Sequence, residues 1–332
     1  METMSDSNYE DGGYRAQPTA MLGRGSVVLA VLTVQAIAFG TLYVIGQPTL
    51  YVGVALGSAA LLGWRANDGW FGVAAATFGV VLLLALGMPL VMFITRQNPS
   101  LIVEAARSSE VHTMLYLTIY GPLLATVASL VFGVPLAYLL ARGFSGQAIV
   151  ESLVDLPLVV PHSVAGILIL FGFGRRGLFP GVSVLTTITG MVLALTFVSA
   201  PFAVNTTREA FETIDSRLEY AARSHGATPF ETFRRIQIPL AYRGILTGGV
   251  LAWARGVSEF GAVAVVAYSV NFFYPFTGEE TVAQHAPVYI FNTFTSAGLA
   301  DASAVAFILL VMSAGIFLIV RLLTDTESGS VL

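Results

Sequence analysis

The chain has 332 residues, of which 55% are hydrophobic and only 11% charged, with net charge −4 and mean hydropathy +0.78. A soluble domain carries roughly 25% charged residues, so lipid is the solvent for most of this chain. Cysteine is absent, which excludes disulfides, thiolate metal sites and cysteine nucleophiles. The acidic balance and the lack of a basic soluble domain exclude nucleic acid as a partner.

Residues 1–25 are polar and acidic (Glu2, Asp6, Glu10, Asp11) and are expected to form a cytoplasmic tail. They do not read as a cleavable signal, because the next apolar run is too long and no small-residue cleavage site follows it. A membrane span needs about 20 mostly apolar residues. Candidates fall at 26–45, 49–64, 70–94, 113–141, 147–173, 181–204, 243–269 and 299–323. No segment alternates like a barrel strand, and a spanning backbone must satisfy its own hydrogen bonds, so these are helices of an all-α polytopic membrane protein. Residues 26–69 form a helical hairpin extension, 70–323 the main transmembrane domain with a cytoplasmic loop at 205–242, and 324–332 a cytoplasmic tail.

Basic charge is entirely arginine. With 205–242 inside, Arg15, Arg24, Arg65, Arg142, Arg208, Arg217, Arg223, Arg234, Arg235, Arg243 and Arg321 fall on the cytoplasmic side, and Arg96, Arg107, Arg175 and Arg176 outside. This bias orients the chain with both termini in the cytoplasm of a cell-membrane protein. Outside, 95–112 is polar enough for a short surface helix. The aromatic-rich stretch 270–298 reads either as an interfacial belt or as a docking surface.

Four stretches break the apolar pattern. Asp155–Gly166 contains Pro157 and Pro161 followed by His162 and Ser163. Each proline removes an amide donor, so two interruptions are expected here, in a helix lining a pathway or in a packing kink. Ser199-Ala200-Pro201-Phe202 is expected to interrupt the next span, and Gly244 and Gly248 give a small face for close helix contact. Arg255 and Glu259 lie four apart in an otherwise apolar span, on one helix face where they can pair. With Ser258 and Phe260 they mark either a self-neutralised structural pair or a gate.

The fourth stretch, residues 219–239, is a charged, helix-forming island between apolar runs. Thr228, Pro229 and Glu231 spell a capped helix start. Gly226 just upstream ends a preceding helix. Phe230 and Phe233 lie three apart on one face, with Arg234 and Arg235 beside them. The pattern suits an amphipathic helix on lipid headgroups or a helix pair that enters a groove on another protein.

The order Ala221, Ala222, Gly226, Ile236, Ile238, Pro239 resembles the cytoplasmic "EAA" loop of ABC importer permeases, with Tyr220 where that family usually has Glu and Glu219 one residue earlier. Ser258-Glu259-Phe260-Gly261-Ala262 resembles the "EFG" stretch of molybdate, tungstate and sulfate permeases. The segment from Leu156 to Gly166 resembles another of their stretches, with His162 replacing a frequent proline. The resemblance covers about residues 71–323 and implies a core of about six helices, to which 1–69 adds two.

It implies a permease for a tetrahedral oxyanion, molybdate or tungstate before sulfate or thiosulfate. The implied partners are a second copy of the chain, a cytoplasmic ATPase dimer and an extracellular substrate-binding protein. The coupling residues carried over are Glu219, Ala221, Ala222, Gly226, Thr228, Pro229, Phe230, Phe233, Arg234, Ile236 and Pro239. Pathway residues are Pro157, Pro161, His162, Ser163, Arg255, Ser258, Glu259 and Phe260. No catalytic or metal-binding residue is expected. Without lysine the chain has no G-x-x-x-x-G-K-[ST] loop, so ATP and magnesium belong to the partner subunit and the chain binds no cofactor. An ion-coupled secondary transporter would want more intramembrane carboxylates. An intramembrane enzyme is disfavoured by the scatter of His112, His162, His225 and His285.

Overall fold

The computed structural model describes residues 34–35, 37–65, 69–174, 177–178 and 184–326. The acidic N-terminal tail, the start of the first candidate span, Arg175, Arg176 and residues 327–332 lie outside the described residues. The chain divides into two compact units, 1–96 and 97–332.

In the first unit a helical stretch over 37–44 is followed by α1 (Leu50–Arg65) and α2 (Gly69–Thr95). α1 and α2 pack against each other. The contact is closest where Gly63 meets the backbone of Gly72: a Cβ on Gly63 would lie 2.4 Å from the Gly72 carbonyl oxygen. The apolar part of α1, Leu50–Leu61, is shorter than a full crossing, whereas Trp70–Thr95 of α2 is long enough.

The second unit opens with α3 (Pro99–Arg107), the surface helix expected at 95–112; Asn98 caps it by accepting from the Ser100 amide at 3.1 Å. α4 (Ser109–Arg142) follows, then α5 (Gln147–Val159), α6 (His162–Phe173) and α7 (Ile188–Glu212). Beyond the charged island come α8 (Ser216–Ser224), α9 (Pro229–Thr232), a π-helical turn at Phe233–Gln237, α10 (Ile238–Val257) and α11 (Gly261–Val266). An antiparallel hairpin of β1 (Val270–Tyr274) and β2 (Glu279–Ala283) precedes α12 (Ala286–Ser296) and α13 (Leu299–Thr326).

Four helices among the described residues are long and apolar enough to cross a membrane: Trp70–Thr95, Ser109–Arg142, Ile188–Glu212 and Leu299–Leu318. Two candidate spans are divided. The 147–173 run is cut once, at Val160–Pro161, not twice; Pro157 stays inside α5, near its C-terminal end. The 243–269 run is cut at Ser258–Phe260. Pro201, by contrast, does not interrupt α7, which continues to Glu212 and takes up the first residues of the loop expected at 205–242. Ser199 turns its hydroxyl back onto the Leu195 carbonyl at 2.7 Å, so its polarity is absorbed within the helix.

The core is the packing of α4, α7 and α10 against one another. α10 approaches α7 through the expected glycines. A Cβ on Gly244 would lie 2.2 Å from the Ala210 Cβ, and one on Gly248 would lie 3.0 Å from the Ala203 carbonyl oxygen. In lipid, where apolar burial gives helices little drive to associate, such close backbone approach carries the interface. The main cluster unites Leu117 and Ala125 of α4, Met191 and Leu195 of α7, and Val263 and Val266 of α11.

The hairpin was not foreseen. Val270 and Phe272 point inward while Asn271 and Phe273 point out, the two-residue alternation of a half-buried strand. Gly278, at φ +74°, closes the turn. The aromatic residues form a stack: Tyr116 of α4 lies 5.9 Å from Phe272 and 5.3 Å from Tyr274, whose ring lies 5.3 Å from Phe276.

Replacing Gly248 by Leu should overpack the α7–α10 contact and cost about 1–3 kcal/mol. Thermal unfolding of the detergent-solubilised protein should register a lower midpoint, and an unchanged one would mean the helices are free to separate there.

Candidate functional site

The charged island folds as two short helices joined at a glycine. α8 begins at Asp215, whose carboxylate accepts from the Arg217 amide at 2.9 Å. It ends in two carbonyl-satisfying bonds: the Gly226 amide donates to Arg223 O at 3.0 Å and the Ala227 amide to Ala222 O at 3.1 Å. This paired closure needs a left-handed residue, which Gly226 supplies at φ +88°. A side chain there would be strained although nothing lies within 4 Å of the space it would occupy. Ala221 and Ala222 thus serve the helix end through their carbonyls, which also receive the His225 amide.

Thr228 then starts α9. Its hydroxyl accepts from the Glu231 amide at 3.2 Å while Glu231 Oε2 accepts from the Thr228 amide at 2.9 Å, a reciprocal cap with Pro229 at the first helical position. The Thr228 amide, and next its hydroxyl, hold the Glu231 carboxyl below the usual carboxylate range. The cap is therefore fully formed above that range and is lost only as pH falls through the depressed value.

The expected shared face of Phe230 and Phe233 does not form. Phe230 is 66% exposed. Phe233 turns inward, 4.7 Å from the Tyr138 ring and 6.2 Å from Phe211. The π-helical turn that begins at Phe233 re-aims the side chains that follow and buries Gln237. Arg234 and Arg235 stay exposed, Ile236 is half-buried in the turn, and Pro239 stands exposed in the first turn of α10.

Glu219, read as a displaced motif residue, is enclosed. Its side chain is only 12% exposed and Oε1 pairs with Arg142 at the end of α4 and with Arg223 Nε at 3.2 Å. The Arg142 guanidinium lies 4.6 Å above the Tyr138 ring. Tyr220 is 70% exposed. Sequence reasoning missed the parts played by Tyr138 and Arg142; the signal was an aromatic residue four positions before an arginine at the end of a long apolar helix.

The second site lies where both divided runs break. Arg255 Nη2 donates to Glu259 Oε2 at 2.6 Å, and the same nitrogen lies 2.9 Å from His162 Nδ1. His162 Nδ1 is 3.3 Å from that carboxylate oxygen. Glu259 is fully buried, and its other oxygen accepts from the Ala262 amide at 2.8 Å, so one carboxylate pairs the arginine and caps α11. A Cβ on Gly261 would lie 2.9 Å from the His162 Cβ and 3.0 Å from the Ser163 amide, which brings the starts of α6 and α11 together. Ser258 returns its hydroxyl to Arg255 O at 3.0 Å. Phe260 leaves the cluster and meets Phe291 of α12 at 5.3 Å. Pro161 is the N-cap residue of α6, and Pro157 is buried within α5. Asp155, a few residues earlier, accepts from Asn205 of α7 at 2.8 Å.

Residues 129–325 match a family described as the inner membrane component of binding-protein-dependent transport systems. The chain belongs to that family. Family members similar to it include the molybdate/tungstate transport system permease proteins of Pyrococcus abyssi and Thermococcus kodakarensis. The first is 36% identical over 74% of this chain and 92% of that protein, the second 37% identical over 76% and 98%. More distant is a probable sulfate transport system permease protein of Helicosporidium, 35% identical over 58% of this chain and 73% of that protein. Among solved structures of the family's fold, a bacterial ABC transporter involved in import of the polysaccharide alginate superposes with TM-score 0.58 at 18% identity, over 77% of this chain and 96% of that one. The family is one of inner-membrane transport components, and the four apolar spans among the described residues make this a multi-pass membrane protein.

Replacing Arg255 by Ala leaves the buried Glu259 carboxylate without its cation and should destabilise the protein by about 3–5 kcal/mol. Adding Glu259→Gln should recover most of that loss. Additive losses in this double-mutant cycle would mean that the two side chains do not act as a unit.

Proposed function

We propose that this chain is the membrane-spanning permease subunit of an ATP-driven importer for molybdate or tungstate. Two copies enclose one translocation pathway, a separate cytoplasmic ATPase dimer docks below, and an extracellular binding protein delivers the anion from above. Both termini lie in the cytoplasm. The observation that carries this reading is the Gly226-hinged, doubly capped helix pair, Ser216–Thr232, which presents Phe230 beside Arg234 and Arg235 outside the long apolar helices. A hydrophobic side chain flanked by cations on a short preformed helix is the chemistry of insertion into a groove on another protein.

The substrate class rests on the similarity to molybdate/tungstate permeases over most of the chain. A sulfate or thiosulfate importer is the second reading, supported by the more distant sulfate permease relative. In either case hydrolysis belongs to the partner, since a lysine-free chain cannot form the phosphate-binding loop. ATP-driven closure of the ATPase dimer pushes on the two helices. The transmembrane helices respond by exchanging inward- and outward-facing packings, a two-state equilibrium biased by nucleotide. The breaks at Val160–Pro161 and Ser258–Phe260 are where the pathway is gated: non-helical backbone at membrane depth is tolerated where it lines a cavity or is covered by protein. Pro157, Pro161, His162, Ser163, Arg255, Ser258, Glu259 and Phe260 lie at or beside these breaks.

Gly226→Val should place a β-branched side chain in the left-handed conformation, distort the hinge and uncouple hydrolysis from uptake without preventing membrane insertion. Vesicles carrying the reconstituted complex should continue to hydrolyse ATP while anion uptake collapses; normal uptake would refute the docking assignment. Substrate is decided by titrating the cognate binding protein with molybdate, tungstate and sulfate. Sulfate held most tightly would overturn the first reading in favour of the second.

A further inference from the structure

The helix that receives the ATPase has little packing of its own. None of the residues of α8 is buried. Beneath it, towards the ends of α4 and α7, lies a cleft of about 570 Å³ lined by Tyr138, Arg142, Phe211, Glu219, Tyr220 and Gln237 among others. A push on a surface helix with empty space behind it closes the space before it moves the core. Something must bridge the cleft if displacement of α8 is to reach the membrane-spanning helices.

Glu219 is the bridge. It stands on the inward side of α8, and its carboxylate pairs across the cleft with Arg142, the last residue of α4. Arg223, one turn along α8, holds the same carboxylate oxygen and fixes the side chain's direction. On the far side, Arg142 lies over Tyr138, whose ring packs against Phe211 of α7 and against Phe233. The chain of contacts thus ends in the α4–α7 core. The neighbouring Tyr220 also borders the cleft but is exposed and stands at its rim.

Resting on the reading of Ser216–Thr232 as the ATPase-docking element, we infer that Glu219 is a positioning residue: an internal strut that carries displacement of α8 into α4 through Arg142.

The test uses the complete chain with its ATPase in vesicles. Glu219→Gln keeps the size of the side chain and removes the charge. The ATPase should still co-purify and hydrolyse ATP, while anion transported per ATP falls about five-fold or more. The cysteine-free chain allows a second arm. In the Glu219→Cys, Arg142→Cys double variant, a short reducible bis-thiosulfonate cross-linker should restore the transported anion per ATP, and cleaving it with reductant should abolish it again. An unchanged ratio in Glu219→Gln overturns the strut, as does loss of ATPase binding in that variant, which would make Glu219 a surface contact. Arrest of uptake by the cross-link overturns it too, because the pair would then have to part during the cycle. If the unaltered chain retains no ATPase at all, the docking reading fails first and the strut falls with it.

Discussion

A peptide group in hydrocarbon has no water to turn to, so every interruption of a membrane helix must be compensated by the protein itself. This chain places two interruptions side by side and lets them compensate one another. The break after α10 presents Glu259, whose carboxylate takes the Ala262 amide at the start of α11 and the Arg255 guanidinium at the end of α10. The break before α6 presents His162, which touches the same two charged groups, and Gly261 fits against the His162–Ser163 backbone. A buried charge, an unpaired helix end and a proline kink, each costly alone, meet in one small network. In the proposed importer these discontinuous helices, their ends held by polar contacts within an apolar scaffold, are where a gate would act.

The scaffold around the network is held by shape. α7 and α10 approach so closely that only hydrogen fits at Gly244 and Gly248, and α4 threads between these helices and the aromatic hairpin. Polar side chains within the helices mostly return to their own backbone, as Thr118 does to Met114 O and Thr126 to Pro122 O. Thr118 also accepts from the Ala286 amide at 2.9 Å, tying the start of α12 to the core. At these points the polarity of the interior is absorbed by the backbone.

Much of this was legible because local signals are strong where the chain leaves the bilayer. The cap at Thr228–Glu231, the left-handed Gly226 and the close-packing glycines follow from residue chemistry over four or five positions. So did the pairing of Arg255 with Glu259, although Glu259 lies in the break beyond α10 and not on a shared helix face. What stayed hidden depends on tertiary partners. Nothing local distinguishes Phe233 from Phe230; the π-helical turn and the waiting rings of Tyr138 and Phe211 do. Pro157 and Pro201 looked like breaks, yet each is accommodated within a continuous helix, while Pro161 falls where the chain does divide. The hairpin was obscured because its strands are five residues each, β1 being dense in aromatics and β2 opening on two glutamates, a composition that suits an interfacial loop as well as a strand.

One helix of the second unit joins the aromatic hairpin to the charged island. α4 stays continuous for 34 residues in spite of Pro122 and Pro135, with Tyr116 in the hairpin's aromatic stack near one end and Arg142 at the other. The two residues are separated by roughly 40 Å along the axis at the rise of an α-helix, so a tilt of about 5° about the middle would carry each end roughly 2 Å, in opposite senses. In the proposed importer such a tilt, with the contact to α7 and α10 as its fulcrum, would give events at one end of the helix a mechanical address at the other.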